Sequence, residues 1–274
     1  MTVTKEDFEE PRCVLCMEEK KQEKIPVARI LKKADDYYAA KDYAEARRML
    51  SYWATEAEGA GDLSGRLTVL CELLGIYRKT QQKAPALALA RTVCELSENN
   101  DIYPGLRGTA LINAATVYTA FGETQMAVEI FQKARVVYEK MTADGYNVDY
   151  SAYAGLCNNM ASALADAGEL DKACENYNAA LALLEKAGGS PEEEAITYLN
   201  LANLEEKRLG LVDGCDIIDG YLDRAERIFE KLLAESDSSE NPGYLSFVCE
   251  KCAPVFSYYG RFGLAESMRN FCGI

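Results

Sequence analysis

A set of side chains recurs about every forty residues, and a period of that size restricts a chain to repeat architectures before any single motif is considered. Counting from the small residue Ala115, glycine follows at +7 (Gly122), alanine at +12 (Ala127), an aromatic at +16 (Phe131) and alanine at +19 (Ala134). Counting from Ala161 gives Gly168, Ala173, Tyr177 and Ala180 at the same offsets. The frame decays but persists elsewhere. Ala34 leads to Lys41, Ala46, Leu50 and Trp53; Leu74 leads to Gln81, Ala86, Ala90 and Val93; Ala253 leads to Gly260, Ala265, Arg269 and Cys272. From Ala202 the frame reaches Leu209 and then needs eleven extra residues, Leu211–Tyr221, before Ala225, Phe229 and Leu232 resume it.

Each feature has a physical reason. Small residues on two helices let their backbones approach closely, and a larger side chain there overpacks at a cost of about 1–3 kcal/mol. The aromatic fills the wedge beside that contact with a large buried area. Gly122, Gly168 and Gly260 stand where a helix must stop, and glycine takes the left-handed conformation cheaply. Apolar residues between these points follow helical spacing, as in Ala127, Ile130, Phe131, Ala134 and Val137. Clusters of turn residues separate the units, for example Glu58-Gly59-Ala60-Gly61-Asp62, Asn99-Asn100-Asp101, Gly188-Gly189-Ser190-Pro191 and Ser236-Asp237-Ser238-Ser239.

This pattern resembles the tetratricopeptide repeat (TPR). Its units are longer than the usual 34 residues, and in this they are similar to the arrays of kinesin light chain and LGN-type scaffolds. The resemblance implies an all-α fold, a right-handed α-α superhelix of about six helix pairs in which the first helix of each pair lines a concave groove. It places a single solenoid domain over residues 26–274, preceded by residues 1–25 with a short capping helix around Val14, Leu15 and Met17. The chain ends at Cys272-Gly273-Ile274 on a packing helix, an apolar end open to a second copy or a partner.

Composition narrows the function. The formal charge of −14 disfavours a nucleic-acid backbone or an anionic membrane surface as partner. With no histidine in the chain, serine and cysteine triads that use imidazole, and metals held by it, are excluded. Ten cysteines scattered through apolar helical patterns suit reduced thiols in a cytoplasm, and the polar, acidic N-terminus carries no secretory signal. We therefore expect a cytoplasmic, non-enzymatic adaptor without a cofactor, holding a peptide segment or helix of another protein.

Two residues before the anchor stand Asn113, Asn159 and Asn200; just after it stand Thr116, Ser162 and Asn203. Three residues separate the two sets, so they share one helix face. The TPR resemblance implies that this face is the groove. An amide carries both donor and acceptor, so a column of asparagines can pair with the backbone of any extended peptide; the same residues also serve packing between neighbouring helices. Lys32 and Glu72 interrupt the column in the first two units, where Tyr38, Arg78 and Lys79 project in the same frame as candidate partner-binding residues. Two Cys-x-x-Cys pairs, Cys13/Cys16 and Cys249/Cys252, would together make a zinc site only if the superhelix closed on itself. The expectation is structural thiols and no metal. The insertion 211–221 reads either as a longer turn or helix, or as a protrusion that touches a partner. The second functional reading is a regulatory or assembly subunit that self-associates through the C-terminal helix and outer face.

Overall fold

The computed structural model describes residues 24–235 and 242–273. Among the described residues there are twelve α-helices and no strand: α1 (Val27–Ala39), α2 (Tyr43–Ala60), α3 (Leu63–Lys79), α4 (Lys83–Ser97), α5 (Pro104–Ala120), α6 (Thr124–Ala143), α7 (Tyr150–Asp166), α8 (Leu170–Lys186), α9 (Pro191–Asp213), α10 (Cys215–Ala234), α11 (Pro242–Tyr258) and α12 (Phe262–Cys272). The chain groups into two compact units, 1–76 and 77–274, with the division inside α3. The expected capping helix around Val14, Leu15 and Met17, the pair Cys13/Cys16, and residues 236–239 lie outside the described residues.

In the first unit α1 and α2 form a helical hairpin. Ile30 and Ala34 are buried on α1, and Ala46, Leu50, Ala54 and Ala57 on α2. Asp42 starts α2 by accepting a hydrogen bond from the Glu45 N–H at 3.1 Å, a cap of the kind worth about 1 kcal/mol. Asp62 is buried and fully used: its carboxylate accepts from the Gly65 N–H at 2.9 Å and the Ile25 N–H at 3.1 Å, tying the segment before α1 to the start of α3.

In the second unit α5/α6, α7/α8, α9/α10 and α11/α12 pack as pairs, and the second helix of one pair meets the first of the next in α4/α5, α6/α7 and α8/α9. The first helices also touch in series, α5 to α7 to α9 to α11. The anchors Ala115, Ala161, Ala202 and Ala253 are buried, as are Ala127, Ala173, Ala225 and Ala265 on the second helices and the wedges Phe131, Tyr177 and Phe229. A further close approach lies seven residues before an anchor, where a Cβ on Gly108 would stand 2.8 Å from the Tyr138 ring. Tyr138 in turn stacks on Tyr153 with ring centroids 5.0 Å apart, joining α6 to α7.

The turn after the first helix is built alike in five pairs. The residue at +7 has positive φ: Lys41 (57°), Gln81 (55°), Gly122 (78°), Gly168 (81°) and Gly260 (78°). The next N–H then reaches back to the carbonyl five residues earlier, as Asp42 to Tyr37, Gln82 to Tyr77, Glu123 to Tyr118 and Glu169 to Leu164 at 2.9 Å, and Arg261 to Phe256 at 2.8 Å. This is the Schellman closure.

The fifth pair departs from it because Leu209 occupies the +7 position, and left-handed backbone costs a branched side chain about 1–2 kcal/mol. The helix continues to Gly210, which breaks it at φ 78°, ψ 166°, a conformation open essentially to glycine alone. One more turn follows, ended by Gly214, and α10 begins at Cys215. The inserted residues therefore lengthen both helices of the hairpin. At the other end of the unit, α12 turns Glu266, Ser267 and Asn270 outward with Phe262 its one exposed large apolar residue, and Gly273 closes it in left-handed conformation. The buried stripe Leu264, Ala265 and Met268 of this helix faces inward, and Ile274 lies outside the described residues.

Candidate functional site

Asn113 and Thr116 lie on α5, Asn159 and Ser162 on α7, and Asn200 and Asn203 on α9. These helices are the touching series of first helices, so the helical register brings the two sets to one face of that layer. Their hydrogen bonding divides them. The Thr116 hydroxyl donates to its own helix at the Ile112 carbonyl, 2.8 Å away. Ser162 hydrogen-bonds the Tyr177 phenol, which burial holds up at about 12 and the Ser162 bond pulls the other way. Asn203 meets the Tyr259 hydroxyl at 2.8 Å, and the same hydroxyl lies 2.6 Å from Glu206 Oε2. A phenol has one proton to give, so the Tyr259 hydroxyl serves two acceptors in turn, Asn203 Oδ1 and the Glu206 carboxylate. Asn113, Asn159 and Asn200, by contrast, make no side-chain hydrogen bond within the described residues.

Between α7 and α9 this face opens into a cavity of about 430 Å³ lined by Ser162, Ala165, Asp166, Tyr177, Asn200, Asn203, Leu204, Glu206 and Lys207. Its charges are arranged internally. Lys207 bridges from α9 to Asp166 on α7 at 3.2 Å, and Glu206 accepts from Tyr258 at the end of α11 and from Tyr259 in the turn after it. Burial and the Glu206 carboxylate push the Tyr259 phenol well above its ordinary range. The arrangement offers amide, hydroxyl and carboxylate groups in a half-open trough.

Of the nine residues expected to bind a partner, Ser162, Asn200 and Asn203 line the cavity. Asn159 is exposed on α7, and Asn113 and Thr116 are half-buried on α5, outside the cavity lining. Arg78 and Lys79 are exposed in the last turn of α3. Tyr38 lies in the first unit, where its hydroxyl donates to Glu72 at 2.9 Å; burial, then Glu72, raises its pKa. Cys249 and Cys252 are free, buried thiols, each pushed up to about 12 chiefly by burial. Among the described residues no group of histidine, cysteine and acidic side chains is arranged to hold a metal, and no helix is long and apolar enough to cross a membrane.

Sequence reasoning missed Asn158 and Thr197. The buried Asn158 amide donates to Thr197 Oγ1 at 2.8 Å, while that hydroxyl turns to the Glu193 carbonyl at 2.7 Å, and so α7 is clamped to α9 beneath the trough. Arg135 on α6 likewise donates to Asn176 on α8. No repeat offset marks these residues, because each matters only through its neighbour across the helix stack.

No family model matches the chain, and no curated protein sequence matches it. Solved structures do. A Rap protein complexed with competence and sporulation factor is 16% identical, with a TM-score of 0.61, over 90% of this chain and 62% of that one. The apo form of RapI is 14% identical with a TM-score of 0.55, covering 90% of this chain and 96% of the other. BtubC (BKLC) from P. vanneervenii is 19% identical with a TM-score of 0.53, over 90% of each chain. With paired helices, a small-residue seam and Schellman turns at fixed offsets, the chain has an all-α helical-repeat fold of tetratricopeptide type.

Proposed function

We propose that this chain is a protein-interaction module without enzymatic activity of its own, and that the first-helix face of α5, α7 and α9 holds an extended segment of another protein. The observation that carries this reading is that Asn113, Asn159 and Asn200 make no side-chain hydrogen bond among the described residues, one amide on each of three touching helices. A free side-chain amide beside a trough is what a backbone–amide register needs, since it donates and accepts without regard to the ligand's side chains. The occupied neighbours Thr116, Ser162 and Asn203 act as its support. A protein of the same fold has been solved in complex with competence and sporulation factor, so the architecture accommodates a ligand. The absence of histidine in the sequence and the high pKa of the buried thiols speak against acid–base or thiolate catalysis. The described cysteines are all unbridged, which suits a reducing cytoplasm.

The test is selection from a displayed library of linear peptides, followed by titration of the winning peptide against the wild type and against a chain carrying Asn113→Ala, Asn159→Ala and Asn200→Ala together. Three lost hydrogen bonds of about 0.5–1.5 kcal/mol each predict an affinity loss of roughly tenfold to a thousandfold. The exposed or half-exposed positions of the three residues predict an unchanged thermal midpoint. Equal affinity in a folded triple variant overturns the groove.

A further inference from the structure

The α9–α10 hairpin is the one whose turn departs from the repeat, and it carries a cluster of exposed aliphatic side chains. Leu209, Leu211, Val212 and Ile217 are 43%, 49%, 85% and 48% exposed, all within nine residues of chain. The backbone holds them in a defined turn. The Gly214 N–H donates to the Gly210 carbonyl at 3.1 Å, and the Gly214 carbonyl accepts from Ile217 and from the buried Ile218. Gly214 itself is packed so closely that a Cβ would stand 2.9 Å from the Gly210 oxygen and 3.2 Å from the Leu209 and Ile218 side chains. The turns after α5 and α7 instead present Gly122 and Glu123, and Ala167 and Gly168, to solvent. Apolar side chains brought together on a protrusion and left in water mark a contact surface.

The charge around the cluster selects its partner. Asp213 and Asp216 stand between Val212 and Ile217 in the chain, both exposed, and neither pairs with a cation among the described residues. The nearby cations Lys207 and Arg208 are already engaged, with Asp166 and with Asp171 and Glu205. A second copy would oppose carboxylate to carboxylate in a chain of formal charge −14, and an anionic bilayer would be repelled in the same way. We propose that the tip of the α9–α10 hairpin docks a basic amphipathic helix of another protein, its apolar stripe lying on Leu211 and Val212 and its flanking lysine or arginine side chains meeting Asp213 and Asp216. This surface is separate from the amide-lined trough and does not depend on it.

The test uses the full chain with labelled leucine, valine and isoleucine methyl groups, titrated with a short helical peptide of leucine and lysine and with its counterpart in which glutamate replaces lysine. The expected result is methyl shifts centred on Leu209, Leu211, Val212 and Ile217 for the lysine peptide alone. The double variant Leu211→Ser/Val212→Ser, whose sites are too exposed to unfold the chain, should bind about tenfold or more weakly. Asp213→Asn/Asp216→Asn should weaken binding and flatten its salt dependence, while the triple asparagine variant of the trough should bind as the wild type does. Shifts centred on the α5–α7–α9 face, equal binding of the glutamate peptide, or undiminished binding by Leu211→Ser/Val212→Ser each overturn the proposal. So does sedimentation showing a dimer of the wild type that the same double variant dissolves, since the occupant is then a second copy.

Discussion

The neighbouring pairs α7/α8 and α9/α10 are built on the same interior and end in different turns. Ala161 and Ala173 in one, Ala202 and Ala225 in the other, are fully buried at the close approach, with Tyr177 and Phe229 as the respective wedges. Yet Gly168 turns the first chain within one left-handed residue, whereas Leu209 forces the second onward through Gly210 to a longer tip. Ala202 and Ala225 stay fully buried although the extra residues lie between them, so growth at the tip leaves this close approach intact. Loop-closure cost grows only slowly with length, and a repeat array is held by nearest-neighbour interfaces. Growth at a turn is therefore cheap, and it leaves new surface without touching the core.

That equivalence can be broken most sharply at the wedge. Phe229→Ala and Tyr177→Ala should each cost about 3–5 kcal/mol in urea unfolding; a much smaller loss at Phe229 would show that the extended pair does not share the interior of its neighbour. Next in size, Ala173→Leu and Ala225→Leu should each cost about 1–3 kcal/mol through overpacking, read as matched drops in thermal midpoint.

The turns come after the core. Lys41 and Gln81 hold the left-handed position that glycine fills in three other pairs, so Lys41→Gly or Gln81→Gly should gain about 1 kcal/mol, while Gly168→Ala should lose a similar amount. A loss in the first two would mean that the side chains, such as the Gln81 amide that donates to the Arg78 carbonyl, outweigh backbone strain.

A last effect is alkaline. Cys249 and Cys252 rise from an ordinary thiol value of 9.0 to about 12 on burial. Above pH 9 the unfolded chain sheds protons that the folded one keeps, so their stabilising contribution is whole below pH 9 and is lost as the pH climbs toward 12. Unfolding followed at about pH 8 and about pH 10 should show this decline, and Cys252→Ala should lessen it; an unchanged slope in that variant would assign the decline to other groups.

Much of the fold was legible in the residues themselves. The offsets from Ala34 and Leu74 already point to Lys41 and Gln81 as turn positions without a glycine, and both are left-handed. The register of Asn113, Asn159 and Asn200 likewise follows from helical geometry alone. Which of the six polar residues on that face are free was not legible, since Ser162 and Asn203 are occupied by Tyr177 and Tyr259, which other segments of the chain bring to them.

Local sequence set the helices, their small-residue seam and the places where each must turn, because propensity, left-handed backbone and helical period act within a few residues. Only the tertiary stack decided that Asn158 and Thr197 would clamp α7 to α9, that Lys207 would close on Asp166, and that Leu211 and Val212 would stand in water. Hydrogen bonding and burial are pairwise across space, and the partner of a side chain on one helix is fixed by how closely the next helix is allowed to approach.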